Sequence, residues 1–357
     1  MSSLQFAVNL ATARKPRPKD SDLVFGRNFT DHMAIVDYEA DRGWFDPRVV
    51  PYGPLTLDPA AAVLHYGQEL FDGLKAFRGA DGKVRIFRID RHAKRMHDGA
   101  ARLCMPALDE ELFKQSALEL VRADREWVPE SPGTSLYVRP AMVATEPFLG
   151  VRPSKRYLYF VIASPVSGYG GQVFSPARIW VEDKYVRAAQ GGLGAVKSGA
   201  NYLASLLAAE EAKARGYAQV LWTDASNHRY LEEVGTMNLV VRIGDEFVTP
   251  PLGGTILGGV TRDSVITLLR DWGMPVSERP IAIDEVLAAH RNGALREVFG
   301  CGTAAVITPV GELGWRGEKL VINGGQAGEM ARKLYDAVTD IQYGRAPDKH
   351  GWMTAID

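Results

Sequence analysis

Two cysteines in 357 residues leave almost nothing for thiol chemistry to work with. Cys104 and Cys301 lie far apart and match no metal-ligand or redox spacing, which excludes a disulfide framework, a zinc ribbon and a dithiol motif. The expected compartment is therefore reducing and cytoplasmic, and no metal is expected. Charge of one sign is also missing. With 42 Lys and Arg against 43 Asp and Glu the net charge is −1, so neither nucleic acid nor an anionic membrane is an expected partner. No apolar run is long enough to cross a bilayer. Internal repeats and low-complexity tracts are absent. The first 19 residues carry Arg14, Lys15, Arg17 and Lys19 without an acid, but lack the apolar core of a secretory signal. Residues 1–22 are accordingly read as a flexible, solvated arm.

What remains is the composition of an ordinary globular protein, 46% apolar and 24% charged, long enough for two domains. The pattern predicts a smaller N-terminal α/β domain over 23–166, a linker over 167–176 and a larger C-terminal domain over 177–357. In the first, 135–145 and 156–166 read as strands, with Tyr137 and Arg139 on one face. Asp90 is the expected N-cap of a helix that carries Arg95, and 110–127 is a second helix. In the second, 218–223 is a strand, 229–243 an extended return, and 254–273 a Gly-rich loop running into a helix with Thr261 at its start. Two short strands flank Gly302-Thr303-Ala304, and Met330, Leu334, Val338 and Ile341 give a last helix its buried face. The sum is a mixed α/β (α+β) protein of two domains.

Four features carry chemistry. Lys197 stands between Gly191, Gly192, Gly194 and the Ser198-Gly199 turn, with a helix predicted from Asn201 to a stop at Gly216 and Leu203, Leu206 and Leu207 at helical spacing. An amine so fixed can form a Schiff base if its neighbours lower its pKa. Gly-Gly-Val-Thr261 at a helix start offers free N–H groups, the positive end of the dipole and a hydroxyl, which suit phosphate. The Thr303 turn offers a second such hydroxyl. Glu232 and Glu233 lie in an apolar extended run, where alternation turns one inward and leaves the other in solvent; a protonated ring nitrogen would partner the inward acid. Taken singly, these also fit a surface lysine, ordinary caps and a structural ion pair. Together they meet the needs of pyridoxal 5′-phosphate: an amine, an acid and phosphate donors.

The strings VKSGANYLASLL, QVLWT, EVGTMNL, TPPLGGTILGGVTR, FGCGTAAVITPV and DIQYG resemble the branched-chain amino acid aminotransferases, fold-type IV pyridoxal phosphate enzymes of aminotransferase class IV. FGRNFTDHM, LHYGQELFDGLKAFRG, SLYVRPAMVATEPFLGV and KYVRA extend the likeness from about Leu23 to Tyr343. The resemblance implies a cofactor held between the two domains, with pyridoxamine 5′-phosphate as its intermediate form. Lys197 would carry the Schiff base and shuttle the proton, Glu233 would pair with the ring nitrogen, and Tyr202 would bond the ring hydroxyl. Arg95, Val260, Thr261 and Thr303 would hold the phosphate with Arg187 nearby, and Leu257 and Thr236 would flank the ring. Phe25, Tyr66, Phe71, Tyr137 and Met237 would wall an apolar substrate pocket, and Thr303, Ala304 and Tyr66 would receive the α-carboxylate. Leu149 and Val151 would complete the pocket from a second subunit of a homodimer, and Arg139 would admit the side-chain carboxylate of glutamate.

The implied reaction is reversible ping-pong transfer of the amino group of L-leucine, L-isoleucine or L-valine to 2-oxoglutarate. Two positions depart from the family pattern. Ala305 and Thr308 stand where mammalian members carry a Cys-x-x-Cys pair, and Gly258 where many have proline, so thiol regulation is not expected and Cys301 is read as a buried structural residue. Rival readings are D-amino acid aminotransferase or aminodeoxychorismate lyase on the same fold, a cofactor-free Schiff-base aldolase, and a sugar-phosphate or nucleotide binder.

Overall fold

The structure, a computed structural model, describes residues 5–168 and 174–356. Residues 1–4 of the expected arm and 169–173 of the expected linker lie outside the described residues. The chain divides into two units that are not successive halves. The described residues of Met1–Val173, Lys197–Gly199 and Asp340–Asp357 make the first, and those of Phe174–Val196 and Ala200–Thr339 the second. The C-terminal stretch, grouped with the second domain by sequence pattern, thus belongs to the first unit. The reason is a ladder that no local pattern announces: Met353–Ile356 pairs antiparallel with Val84–Phe87.

The first unit is built on one sheet. Its strands are β1 (Ala7–Val8), β2 (His32–Glu39), β3 (Gly43–Pro51), β4 (Glu69–Phe71), β5 (Leu74–Arg78), β6 (Val84–Phe87), β7 (Ser135–Ala144) and β8 (Arg156–Val166), with Met353–Ile356 at the far edge. The order is β1-β3-β2-β8-β7-β5-β6 and then the C-terminal strand, with β4 also on β7. The centre, β7, is buried along most of its length, as a strand covered on both faces must be. The described residues of this unit include the helices α1 (Ala62–Tyr66), α2 (Ile89–Arg102) and α3 (Glu110–Ala123). On one face α3 lies across β2, β3, β7 and β8, and its Phe113 ring sits 6.5 Å from that of Tyr159. The opposite face of β7, which carries Tyr137 and Arg139, is left for the site.

Asp109 caps α3 by accepting the N–H groups of Glu111 and Leu112 at 2.9 and 3.2 Å. Asp90 is not the N-cap of α2 that the sequence pattern leads one to expect. Arg88 turns the chain at φ +52°, the helix begins at Ile89, and Asp90 falls in its first turn, where its charge still suits the dipole. The described part of the basic arm runs along the sheet: Ala7–Val8 pairs with β3, and the Lys15 N–H bonds Asp31 at 2.8 Å.

The second unit is organised by a sheet that closes on itself. Its strands are β9 (Ala177–Val181), β10 (Gln219–Thr223), β11 (Leu231–Val234), β12 (Met237–Ile243), β13 (Glu246–Thr249), β14 (Val276–Glu278), β15 (Leu295–Gly302), β16 (Val306–Trp315) and β17 (Glu318–Val321). Pairing runs β11-β10-β9-β16-β15-β12, and β11 also pairs β12, which completes a six-stranded ring. The extended return expected over 229–243 is therefore a hairpin, broken by the Gly235-Thr236 turn. Gly235, at φ +58°, supplies the left-handed conformation that turn needs. Ile179, Leu221, Val234, Leu239, Val298 and Leu313 belong to the buried apolar cluster of this unit.

Helices α4 (Gly199–Leu203), α5 (Leu206–Ala214), α6 (Val260–Asp271), α7 (Ile283–Arg291) and α8 (Glu329–Gln342) complete the chain. The helix expected from Asn201 is interrupted after Leu203, although Gly216 does follow its end, at φ +84°. The apolar spacing also misled. Leu203, Leu206 and Leu207 are exposed, and α5 packs through Ala208 and Ala212 against Tyr217, Val220 and Trp222. Small residues let a helix approach a sheet more closely than leucines would. Among the described residues, no helix is long and apolar enough to cross a membrane, and no cluster of His, Cys, Asp and Glu could hold a metal.

Candidate active site

In the first unit the site grows from the short strand β4 and the lysine loop laid against it. The Phe71 N–H donates to the Lys197 carbonyl at 3.1 Å, and the Gly199 N–H donates to Glu69 Oε1. Two hydrogen bonds thus fix the backbone that follows directly on the Lys197 side chain. Its amine lies 5.1 Å from the centre of the Phe71 ring. Desolvation, helped by the Arg95 guanidinium, lowers the Lys197 pKa from 10.5 to about 8. At pH 7.5 about a quarter of such amines are neutral and nucleophilic, against about one in a thousand at the ordinary value.

Arg95 is itself anchored. Asp72, fully buried on the turn after β4, accepts Arg95 Nε and Nη2 at 2.9 and 2.7 Å, His92 Nδ1 at 2.7 Å and the Gly73 N–H at 2.6 Å. Burial pushes this carboxyl up, but Arg95 and then His92 outweigh it and hold Asp72 well below the usual carboxylate range. Burial also lowers His92, so the imidazole is neutral and donates from Nδ1. His92 and Arg95 occupy neighbouring turns of α2, one face of the helix meeting one carboxylate.

The remaining first-unit residues sort into two groups. Phe25, Phe71, Tyr137 and Arg139 come together. The Phe25 ring meets Tyr137 edge-on at 4.9 Å, and the Arg139 guanidinium lies 4.7 Å from the Phe71 ring. Arg139 also donates to the Tyr137 hydroxyl at 3.0 Å. Tyr66, at the end of α1, and Leu149 and Val151, on the β7–β8 loop, are exposed instead.

In the second unit Glu233, buried on β11, is the centre. Its Oε2 pairs with Arg187 Nε at 2.8 Å, and its Oε1 accepts Asn238 Nδ2 at 2.9 Å and the Leu257 N–H at 3.3 Å. Arg187 spends its other nitrogens on the carbonyls of Thr255, at 2.8 Å, and Gly194. Asn238 also donates to the Leu257 carbonyl at 2.8 Å. Its amide lies where a Cβ on Gly259 would fall, which accounts for glycine there. Glu233 is thereby tied to the loop that opens α6. Gly259 is the N-cap, no described side chain caps it, and Val260 and Thr261 form the first turn. These N–H groups and the dipole are available to an anion.

Glu233, Arg187, Tyr202, Thr236 and Leu257 line one concavity, with Thr236 in the exposed β11–β12 turn and Tyr202 half-buried on α4. Thr303 and Ala304 lie in the turn from β15 to β16. Val306 just after it has φ +61°, which a β-branched residue adopts only under strain. Met237 belongs to the buried cluster of the ring, where its thioether fills the space beside Gly300.

Glu232 corrects the sequence reading. It is buried too, not in solvent. Burial raises its pKa, and its Oε2 has no partner among the described residues. Thr255 hydrogen-bonds its carboxyl, and the charge of Asp224 adds to the rise. Cys301 is fully buried, and burial pushes its thiol up to about 12, so it is inert as expected. Sequence reasoning missed Asp72, His92 and Asn238. Asp72, in the Phe-Asp-Gly string, is the one a search for acids near glycine turns could have found.

A family model of class IV amino-transferases matches residues 69–313, well over half of the chain. The chain belongs to the class IV aminotransferases. This aminotransferase is 50% identical over 356 residues to the branched-chain-amino-acid aminotransferase 2 of Bacillus subtilis (strain 168), covering 100% of this chain and 98% of that one. Its fold is that of the Escherichia coli branched-chain amino acid aminotransferase, at a TM-score of 0.74 and 25% identity, over 92% of this chain and 99% of that one. The enzyme of that name from Thermobaculum terrenum, solved in its PLP form, shares the fold at a TM-score of 0.72 and 23% identity, over 92% and 98% of the two chains.

Proposed function

We propose that this aminotransferase is a branched-chain amino acid transaminase, moving the amino group of L-leucine, L-isoleucine or L-valine to 2-oxoglutarate by a reversible ping-pong reaction on pyridoxal 5′-phosphate. The observation that carries the reading is Lys197: a backbone-clamped amine, desolvated to a pKa of about 8 beside Arg95, in a chain half identical to an enzyme of that name.

The residues present fit the cofactor. Lys197 would take its aldehyde, Glu233 its ring nitrogen and Tyr202 its ring hydroxyl, with Leu257 and Thr236 flanking the ring. Arg95, Val260, Thr261 and Thr303 would hold the phosphate, and the uncapped start of α6 is the donor set such a dianion needs. When bound, pyridoxal phosphate supplies an electron sink for the pair left as a Cα–H bond breaks.

The chain's own residues do the rest. The Lys197 Nζ, about half of it neutral at pH 8, accepts the proton from substrate Cα. Glu233, held by Arg187 and Asn238, presents a fixed anion to a ring nitrogen and favours its protonated form. Asp72 keeps Arg95 extended from α2 and offsets part of its charge, so the helix presents a positioned guanidinium near Lys197 rather than a mobile one.

Phe25, Phe71, Tyr137 and Met237 bound an apolar side chain, and Tyr66, Thr303 and Ala304 receive the α-carboxylate. An apolar wall separates leucine, isoleucine and valine by only about 1–3 kcal/mol per methylene, so all three are substrates. Arg139 is the cation for the glutamate side chain. Leu149 and Val151, exposed here, complete the pocket of a second copy in a homodimer. The sparse cysteine content suits a reducing, cytoplasmic setting.

The test is direct. Purified protein supplied with pyridoxal phosphate, L-leucine and 2-oxoglutarate should yield L-glutamate and 4-methyl-2-oxopentanoate, with D-alanine inert as donor. Turnover of D-alanine but not L-leucine would overturn the reading.

A further inference from the structure

The face of the first sheet that carries Tyr137 holds a buried hydroxyl that the proposed reaction has not used. Tyr137 on β7 lies directly opposite Lys75 on β5 and Ser164 on β8. Residues paired in this way point to the same side of a sheet, so Lys75, Tyr137 and Ser164 form a row across three strands. Arg139, two residues along β7, stands beside that row on the same face. Phe71 joins the face through its pairing with Ala141. Phe25, Phe71 and Tyr137 supply the aromatic rim.

Two polar atoms on this face have no hydrogen-bond partner among the described residues: Ser164 Oγ and Arg139 Nε. Ser164 is only 4% exposed, and a buried hydroxyl or guanidinium N–H without an acceptor is costly. The other charged groups on the face are the buried Lys75 and the half-buried Glu69, whose Oε1 accepts the Gly199 N–H and whose charge attracts Arg139. Donors therefore outnumber acceptors, beneath an aromatic rim. The chemical complement is a carboxylate on a short apolar stem.

We propose that Ser164 is a specificity-determining residue whose hydroxyl donates, together with Arg139 Nε, to the side-chain carboxylate of the dicarboxylic substrate. A branched aliphatic side chain makes no demand on either donor, so Ser164 acts on one half-reaction and not equally on both. This rests on the transaminase reading above.

The experiment compares the KM for 2-oxoglutarate with that for 4-methyl-2-oxopentanoate in the wild-type holoenzyme, Ser164→Ala, Ser164→Thr, Arg139→Ala and the Ser164→Ala/Arg139→Ala double variant. Losing one hydrogen bond to a charged group should raise the ratio of the two KM values by roughly 10- to 100-fold in Ser164→Ala. Ser164→Thr, which keeps a hydroxyl on a strand-compatible side chain, should restore most of it. In the Arg139→Ala background the serine change should add far less than its single effect, because both donors serve one carboxylate. An unchanged ratio in Ser164→Ala, or an equal rise for both 2-oxo acids with a lowered Tm, would make the hydroxyl structural and overturn the proposal. A wild-type enzyme inactive with leucine and 2-oxoglutarate would overturn the transaminase reading instead.

Discussion

Each unit holds a buried carboxylate tied to an arginine, yet the two pairs do different work. In the first, Asp72 is surrounded by side chains of one helix, Arg95 and His92, and its charge is absorbed. In the second, Glu233 receives Arg187 on one oxygen and Asn238 with a backbone N–H on the other. There the arginine is anchored as well, its Nη1 and Nη2 committed to the carbonyls of Thr255 and Gly194. Both carboxylates take two further hydrogen bonds; in the second pair the arginine is bonded to backbone carbonyls as well, and under the proposed function the first pair lies beside the amine while the second would face a protonated ring.

The comparison can be broken in order of expected effect. Lys197→Ala should abolish leucine transamination, a loss of at least about a thousandfold, as expected when a covalent and proton-transfer group is removed. Retained turnover would take the first unit out of the chemistry. Glu233→Gln should cost roughly 100- to 1000-fold in kcat while pyridoxal phosphate still binds, measured by absorbance titration and steady-state rates. Arg187→Met should act mainly on stability. It leaves a buried carboxylate unpaired, for about 3–5 kcal/mol in urea unfolding, whereas Arg95→Met should be milder because Arg95 is more exposed than Arg187. Equal stability losses would erase the proposed asymmetry.

The smallest effect concerns pH. Aldehyde labelling of Lys197 in the apo-protein needs the neutral amine, so its rate should rise with pH through about 8 rather than 10.5. Arg95 lowers that pKa, so Arg95→Met should move the midpoint upward. A downward or absent shift would contradict the role given to its charge.

Much of this was legible in the sequence because it is local. Glycines flanking one lysine, a Gly-Gly-Val-Thr helix start and an alternating Tyr137-x-Arg139 strand all announce their geometry within a few residues. The rest depends on partners distant in the chain. Closure of the ring needs β11 to meet both β10 and β12, and the return of Met353–Ile356 to β6 joins residues over 260 positions apart. Helical spacing named Leu203, Leu206 and Leu207 as packed, but a 3.6-residue pattern says which residues share a face and not whether the core lies there. Alternation likewise could not show that Glu232 is buried. Asp72, His92 and Arg95 converge only because a turn after β4 meets α2.

Charge perturbation alone would have been a poor guide. Burial also lowers Lys75, near the start of β5, to about 8. Two lysines thus share one altered pKa, and the loop geometry and the Arg95 charge single out Lys197. Borohydride reduction of the holoenzyme followed by peptide mapping tests that choice most directly. The phosphopyridoxyl group should be found on Lys197; its recovery on Lys75, with Lys197 unmodified, would contradict the account.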